Sequence, residues 1–454
     1  MPHIIAEKHR AVVSGDLRKT LTALAMPILA LQMLNSCVGF TDVYLSGQIS
    51  VSATVAVGLA AYVFWLVSMI FGLGNIGTLA LVARLWGEED YEQANQISNE
   101  SMTFSIILGL VVTAIFLLFG PNFGNLLGMH DEQLVIYSRF IQLQAIAFLF
   151  LSVSLMGSTI LRSVGDMMTP LYLFGTINIV NIVVSYVLVY GTGGLPKLGV
   201  YGIAVGTVVA EIIGGIFMFA LLLIGRSGIT LEFSKMRIRL ANLRRLLRLS
   251  LPGTVDGMIM WTGHFVYIII IKHIGNESFA AHMVGVELEA LTYLPAFAWG
   301  SAAATMVGQS LGAKNPERAV QSGYAAMLST TYITLFVALA FVFGAEQIYA
   351  IMHADPTVRR IGTPALQMIA IFEFPLAIMI VCQQSLRGAG DTWYPMWINI
   401  GGITLVRLPL AYLFAIVLDG GLIGAWLAMG IDLSIRGLLM WLRYQFGHWT
   451  ATVV

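Results

Sequence analysis

Residues 101–130 read SMTFSIILGLVVTAIFLLFGPNFGNLLGMH, thirty positions without an Asp, Glu, Lys or Arg. About twenty apolar residues let one α-helix cross the hydrocarbon core of a bilayer. Four more uncharged stretches, 43–83, 141–161, 167–196 and 319–345, pass that length. No water reaches the backbone in hydrocarbon, so each stretch must satisfy its own hydrogen bonds and is read as helix. The alternation of a membrane barrel is absent. Composition agrees: 58% of the 454 residues are hydrophobic and 11% charged, where an average soluble domain carries about 25% charge. The chain reads as an all-α membrane protein.

Twelve spans are predicted, at 21–46, 54–83, 95–120, 134–161, 168–192, 199–225, 246–272, 280–309, 317–344, 358–386, 394–418 and 421–443. An even number puts both termini on one side. That side collects seventeen of the Lys and Arg residues, among them Lys8, Arg10, Arg18, Lys19, Arg84, Arg162 and Arg387. The other side collects five: Arg139, Lys197, Lys272, Arg359 and Arg360. The positive-inside rule then makes both termini cytoplasmic. Seven basic residues between Arg226 and Arg248 mark a cytoplasmic linker. A net charge of zero gives no reason to expect a nucleic-acid partner.

The two halves repeat. A shift of 225 residues brings Leu24 onto Leu249, Pro27 onto Pro252 and Gly87 onto Gly312. It also brings Arg162 onto Arg387, Gly165 onto Gly390, Asp166 onto Asp391 and Pro170 onto Pro395. Each copy holds six spans, so both enter the membrane in the same direction, as in transporters built from parallel repeats. The expected organisation is a cytoplasmic segment at 1–20, a first lobe at 21–225, a basic linker at 226–245, a second lobe at 246–443 and a cytoplasmic tail at 444–454.

The connections carry a resemblance. Leu79-Ala-Leu-Val-Ala-Arg-Leu-Trp-Gly87, Ala304-Thr-Met-Val-Gly-Gln-Ser-Leu-Gly-Ala313 and Leu386-Arg-Gly-Ala-Gly-Asp391 resemble the multidrug and toxic compound extrusion (MATE) family. Leu161-Arg-Ser-Val-Gly-Asp166 is a weaker copy of the last. The resemblance implies two pseudo-symmetric six-helix lobes, twelve transmembrane helices in all. It also implies export of organic, mostly cationic amphipathic compounds in exchange for H⁺ or Na⁺ by alternating access. The major facilitator alternative needs a Gly-x-x-x-Asp-Arg-x-Gly-Arg loop after the second span, where this chain has Arg84-Leu-Trp-Gly-Glu-Glu-Asp-Tyr-Glu-Gln-Ala94.

An ionisable group inside a span costs about 2.5–3.5 kcal/mol at the helix centre, so each one needs a partner, water or a task. Asp42 stands in the first span near its outer end. A carboxylate there can hold a proton or a sodium ion but not both, which is what coupling requires, and Asp42 is similar to the aspartate that the family uses for it. In the fifth span Asn178, Asn181 and Ser185 share one helical face by spacing and offer oxygens to a hard cation; interhelical hydrogen bonding is the plainer reading. Many relatives read Asn-x-x-Asn-x-x-x-Asp on this face, so Ser185 replaces a second carboxylate. Sodium is expected, if bound, at Asp42, Asn178 and Asn181. Pro27 is a candidate helix bend.

The second lobe offers Asp256, Glu287 and Glu373, which lie in spans where some branches place acidic residues. Glu289, two residues from Glu287, should face the opposite way, toward the lobe surface. Arg407 is expected to neutralise one of these carboxylates. Glu211 and Arg436 fall at equivalent repeat positions, with no role read for either. His264, His273 and His282 are nine apart and make no metal site on one helix face. Gly72-Leu-Gly-Asn-Ile-Gly77 lies within an uncharged span with no preceding strand, so it is read as helix packing and not as a dinucleotide loop. Cys37 and Cys382 read as buried small hydrophobes.

No cofactor, catalytic pairing or Walker loop is found. The substrate expected is a lipophilic organic cation, the alternative a lipid or lipid-linked oligosaccharide flipped across the membrane. The expected setting is the plasma (inner) membrane of the cell, with a monomer as the working unit.

Overall fold

The computed structural model describes residues 12–126, 131–353 and 355–452. Residues 1–11, with Lys8 and Arg10, and the last two residues of the expected tail lie outside the described residues. Among the described residues there is no strand. The helices are α1 (Leu17–Gly47), α2 (Val51–Gly87), α3 (Tyr91–Leu126), α4 (Asp131–Ser163), α5 (Met168–Tyr190), α6 (Val200–Leu223), α7 (Leu240–Ile274), α8 (Asn276–Gly312), α9 (Pro316–Met352), α10 (Pro356–Ile369), α11 (Glu373–Gly388), α12 (Trp393–Gly401), α13 (Leu408–Tyr412) and α14 (Gly421–Phe446). A π-helical segment, Gly402–Arg407, joins α12 to α13, and a second, Leu413–Val417, continues α13 to the end of the same span.

Ten of these stretches are long and apolar enough to cross a bilayer, and α10 with α11 makes an eleventh, bent by 57° at the junction. Pro375 explains the bend: as the third residue of α11 it has no N–H to give to a preceding turn, so the helix restarts there. The remaining predicted crossing, the eighth, is α8. It has the length, at 37 residues, and Glu277, Glu287 and Glu289 make it more polar. Pro27 does not interrupt α1, which runs through it as one helix.

Local chemistry sets the helix ends. Ser50 caps α2 by accepting a hydrogen bond from the Ala53 N–H at 3.0 Å. Asn315 and Asp355 cap α9 and α10, each followed by proline as the first helical residue, the position where a missing N–H costs least.

The sequence repeat is visible in the backbone. Gly165 and Gly390 take φ of 85° and 89°, and the next residues, Asp166 and Asp391, donate their N–H groups to Leu161 and Leu386 at 2.8 and 2.9 Å. The Leu-Arg-x-x-Gly-Asp motif is therefore a helix stop of the Schellman type, in which glycine supplies the left-handed residue. A second pair of stops follows the same offset. Glu89 and Lys314 have φ of 61° and 55°, and Asp90 and Asn315 donate to Leu85 and Ser310 at 3.0 and 2.8 Å.

The described chain divides into two compact units, one running from Ala30 to Ser250, the other from Leu251 onward together with the stretch that ends at Leu29. In the first unit α3 and α4 lock through a reciprocal pair: Ser105 Oγ donates to Ser152 O at 2.9 Å and Ser152 Oγ to Ser105 O at 3.0 Å. Phe71, Phe116, Tyr137, Phe140 and Phe148 fill the core beside them.

The basic stretch 226–245 packs on this same unit. Asn99, on α3 and fully buried, accepts from Glu232 N at 2.8 Å and donates to Thr230 O at 3.0 Å. Glu100 accepts two bonds from Asn242 Nδ2, both 3.0 Å. Asn99→Ala should free this strap: limited trypsin digestion should cut at Lys235, Arg237 and Arg239 several times faster than in the parent. An unchanged digestion rate would mean that these bonds do not hold the strap.

Candidate functional site

In the first unit α5 and α6 run antiparallel, as their contacts show. Gly202 meets Leu188, Gly206 meets Ser185, and Gly214 meets Ile177. A methyl group at Gly206 would overlap Ser185 Oγ, so glycine is what allows the two helices this close. Between these contacts Asn181 Nδ2 donates to Thr207 Oγ1 at 3.1 Å. Asn178 Nδ2 donates to Asn35 Oδ1 on α1 at 3.0 Å.

The spacing that grouped Asn178, Asn181 and Ser185 therefore describes one buried face. Two hydrogen-bond acceptors on it, Asn181 Oδ1 and Ser185 Oγ, have no partner. On α1, Asp42 is half-buried, and its Oδ1 is enclosed without a hydrogen bond. Asp42 lies seven residues, about two turns, beyond Asn35; Ser185 lies seven beyond Asn178. The first and fifth of alternating crossings run in the same sense, so Asp42 and Ser185 share a level. Unpaired polar atoms in an enclosed place are costly. Oxygens of this kind, carboxylate, amide and hydroxyl, are ones a proton or a hard monovalent cation can satisfy.

The second unit is organised by charge. Asp256, 1% exposed, accepts on one oxygen from Arg387 Nη2 at 2.6 Å, Gln383 Nε2 at 2.8 Å and Asn399 Nδ2 at 3.0 Å. Asn399 accepts in turn from Arg436 Nη1 at 3.2 Å. Arg436 holds Asp432 through Nε at 2.8 Å and Nη2 at 2.5 Å, and Arg407 Nε reaches the same carboxylate at 2.8 Å. The π-helical stretch that ends at Arg407 passes over α14 at Gly402, where a side chain would collide with both Asp432 and Arg436. Arg407 is thus neutralised, as expected; its ion pair is with Asp432, and of the four carboxylates named from the sequence Glu289 lies near enough to feel its charge.

The other acidic candidates separate. Glu287 is exposed and Glu289 buried, so Glu289 does not lie at the lobe surface as expected, because the packing of α8 on its neighbours decides which face turns inward. Glu373, 1% exposed, begins α11 at the bend, with Glu289 and the Thr292 hydroxyl nearby. Neither of its carboxylate oxygens is hydrogen-bonded.

His264 and His282 come together across α7 and α8, ring centroids 6.4 Å apart, though the spacing argument considered one helix alone. Trp426 Nε1 donates to His282 Nδ1 at 3.1 Å. Among the described residues no three His, Cys, Asp or Glu side chains could hold a metal ion together. Cys382 is buried as expected, and Cys37 lies on an exposed face of α1.

The family model MatE matches residues 27–187 and 252–413, once over each half of the sequence. The chain belongs to the MATE family. It is a multi-pass membrane protein of a family of transporters. The probable multidrug resistance protein NorM of Thermotoga maritima is 28% identical over 446 residues, 97% of this chain and 94% of the relative. A protein of Shewanella oneidensis named FAD transporter is 24% identical, over 94% of this chain and 93% of its own. An outward-facing multidrug resistance MATE transporter superposes with a TM-score of 0.89 at 20% identity, over 96% of each chain. A MOP superfamily transporter of Pyrococcus furiosus does so with the same score at 19% identity, again over 96% of each chain.

Within this MATE fold, sequence reasoning missed three polar residues. Asn35 and Thr207 stand on helices other than α5, and no spacing links them to Asn178 or Asn181. Asp432 did carry a signal: it precedes Arg436 by four residues, the interval at which opposite charges meet on a helix.

Proposed function

We propose that this MATE transporter exports lipophilic, mostly cationic organic compounds in exchange for H⁺ or Na⁺, with Asp42 as the coupling group. The observation that carries the reading is Asp42 itself: a carboxylate within a span, one oxygen enclosed and unbonded, at the level of Ser185 on the Asn178–Asn181 face. A proton and a cation compete for such a group, and the competition ties ion movement to the protein's conformation. Thr207 and Asn181 complete the oxygen set, and no resident cofactor is required. The relatives named for multidrug resistance support the substrate class. The reading places both termini in the cytoplasm, the protein in the plasma (inner) membrane, and a monomer as the working unit. The lobes correspond to 21–225 and 246–443, with Pro27 as a point of bending in α1. Asp256 serves the ion-pair network, while Glu287 and Glu373 stay available for cation or substrate.

The test is transport of a fluorescent lipophilic cation in proteoliposomes under separately imposed H⁺ and Na⁺ gradients. Transport driven by one gradient and collapsed by the matching ionophore is the expected result. Movement of FAD or of a labelled lipid, with none of the cation under either gradient, would overturn the substrate class.

A further inference from the structure

The 225-residue shift that relates the halves brings Thr207 onto Asp432 and Glu211 onto Arg436. In the second unit these two positions are joined by an ion pair, and Arg407 closes it from the other side. In the first unit the same two places hold a neutral hydroxyl and a carboxylate. Thr207 is taken by Asn181. Glu211, four residues along α6, is 8% exposed, and its Oε2 makes no hydrogen bond.

Its neighbours follow from the antiparallel contacts. Thr207 meets Asn181, and Gly214 meets Ile177 with Ser154 Oγ 3.6 Å from where a Cβ would stand. Glu211 lies between these contacts on the same face of α6, so it is bracketed at the level of Asn178. Ser154, on α4, is fully buried with its hydroxyl unpaired. The helices packed on α6 bring no counter-charge to this level: Arg162 of α4 and Tyr172 and Tyr186 of α5 lie about two turns away along their helices. An ionised carboxylate enclosed without a partner costs several kcal/mol. Glu211 must therefore carry a proton or hold a cation, whereas its counterpart in the second unit is permanently paired.

We propose that Glu211 is the second acidic group of the cation site in the first unit, binding a proton or a sodium ion beside Asn178, Asn181 and Thr207. It supplies the carboxylate that Ser185 does not. The site then has two acidic stations, Asp42 on α1 and Glu211 on α6, with the amides of α5 between them. This inference rests on the coupling role given above to Asp42.

The test counts cations on purified full-length protein in detergent: protons taken up on acidifying a weakly buffered solution, and radioactive sodium bound at saturation. Parent, Asp42→Asn, Glu211→Gln and Glu211→Asp are compared. The expected result is one cation fewer for Glu211→Gln than for the parent, and one fewer for Asp42→Asn. Glu211→Asp should keep the parent count with its titration midpoint moved. If Glu211→Gln binds as many cations as the parent while Asp42→Asn loses one, the inference fails and the coupling role of Asp42 stands. If neither variant loses a cation, both fail. Should Glu211→Gln not fold, Glu211→Asp decides, and an unmoved midpoint overturns the proposal.

Discussion

Asp42→Asn should abolish the response of transport to an imposed ion gradient while leaving the protein folded. Asparagine keeps the size and one carbonyl oxygen of aspartate, so packing on α1 is preserved, and Asp42 makes no salt bridge that its loss would break. What disappears is the charge that a proton or sodium ion neutralises. An ion that binds no conformation better than another shifts no equilibrium, whatever its gradient. Loss of about 1.4 kcal/mol of differential binding already costs about tenfold, so gradient-driven efflux should fall by about tenfold or more, while binding of the fluorescent cation at equilibrium stays near the parent's. Proteoliposomes with matched protein density give the comparison. Full transport by Asp42→Asn would move the coupling site to the second unit, where Glu373 and Glu289 are the enclosed carboxylates.

Asp432→Asn should be the most destabilising single substitution of a charged residue in the second unit. Asp432 is fully buried and is shared by Arg407 and Arg436. Without it, two enclosed guanidinium groups are left with Asp256, already held by Arg387, and the carboxylate of Glu289 near Arg407 to offset them. Removing one partner of a buried pair costs about 3–5 kcal/mol, far more than replacing the whole set by apolar side chains. The measurement is the fraction of protein that remains monodisperse in detergent after graded heating. Asp432→Asn should lose half its folded fraction well below the parent's temperature. The triple variant Asp432→Leu, Arg407→Met, Arg436→Met should recover much of the loss. Equal midpoints for parent and Asp432→Asn would show that solvent or lipid headgroups reach these arginines.

Much of this arrangement is legible in the sequence. Uncharged runs longer than a bilayer needs dictate helices, and a constant offset dictates two like halves, because both are properties of the chain alone. Asn178, Asn181 and Ser185 were found together because one helix carries all three. Asn35 and Thr207 were not, since their link to that face exists only after α1 and α6 pack on α5. Glu287 and Glu289 show the same limit. Their separation of two residues puts them on different faces, but which face turns inward depends on what α8 packs against. Cys37 failed for that reason too: an apolar span has an outer side where small hydrophobes are equally at home.

The strap at 226–245 has a mechanical corollary. It is fastened to the first unit through Asn95, Asn99 and Glu100, and the Gly77 N–H donates to the Ser250 hydroxyl oxygen at 2.8 Å. The backbone therefore passes between the units at Ser250–Leu251, inside α7, and at Leu29–Ala30, inside α1. Both joints are stretches of continuous helix, like leaf springs where loose cords would be expected. Pro252 and Pro27 stand within two residues of the two joints, at equivalent places in the repeat. Each removes one rung of the helical ladder, leaving the Arg248 and Ala23 carbonyls without their usual donor. Each of these helices is thereby one hydrogen bond short beside its joint, and replacing either proline with alanine would supply the missing donor without touching a candidate binding residue.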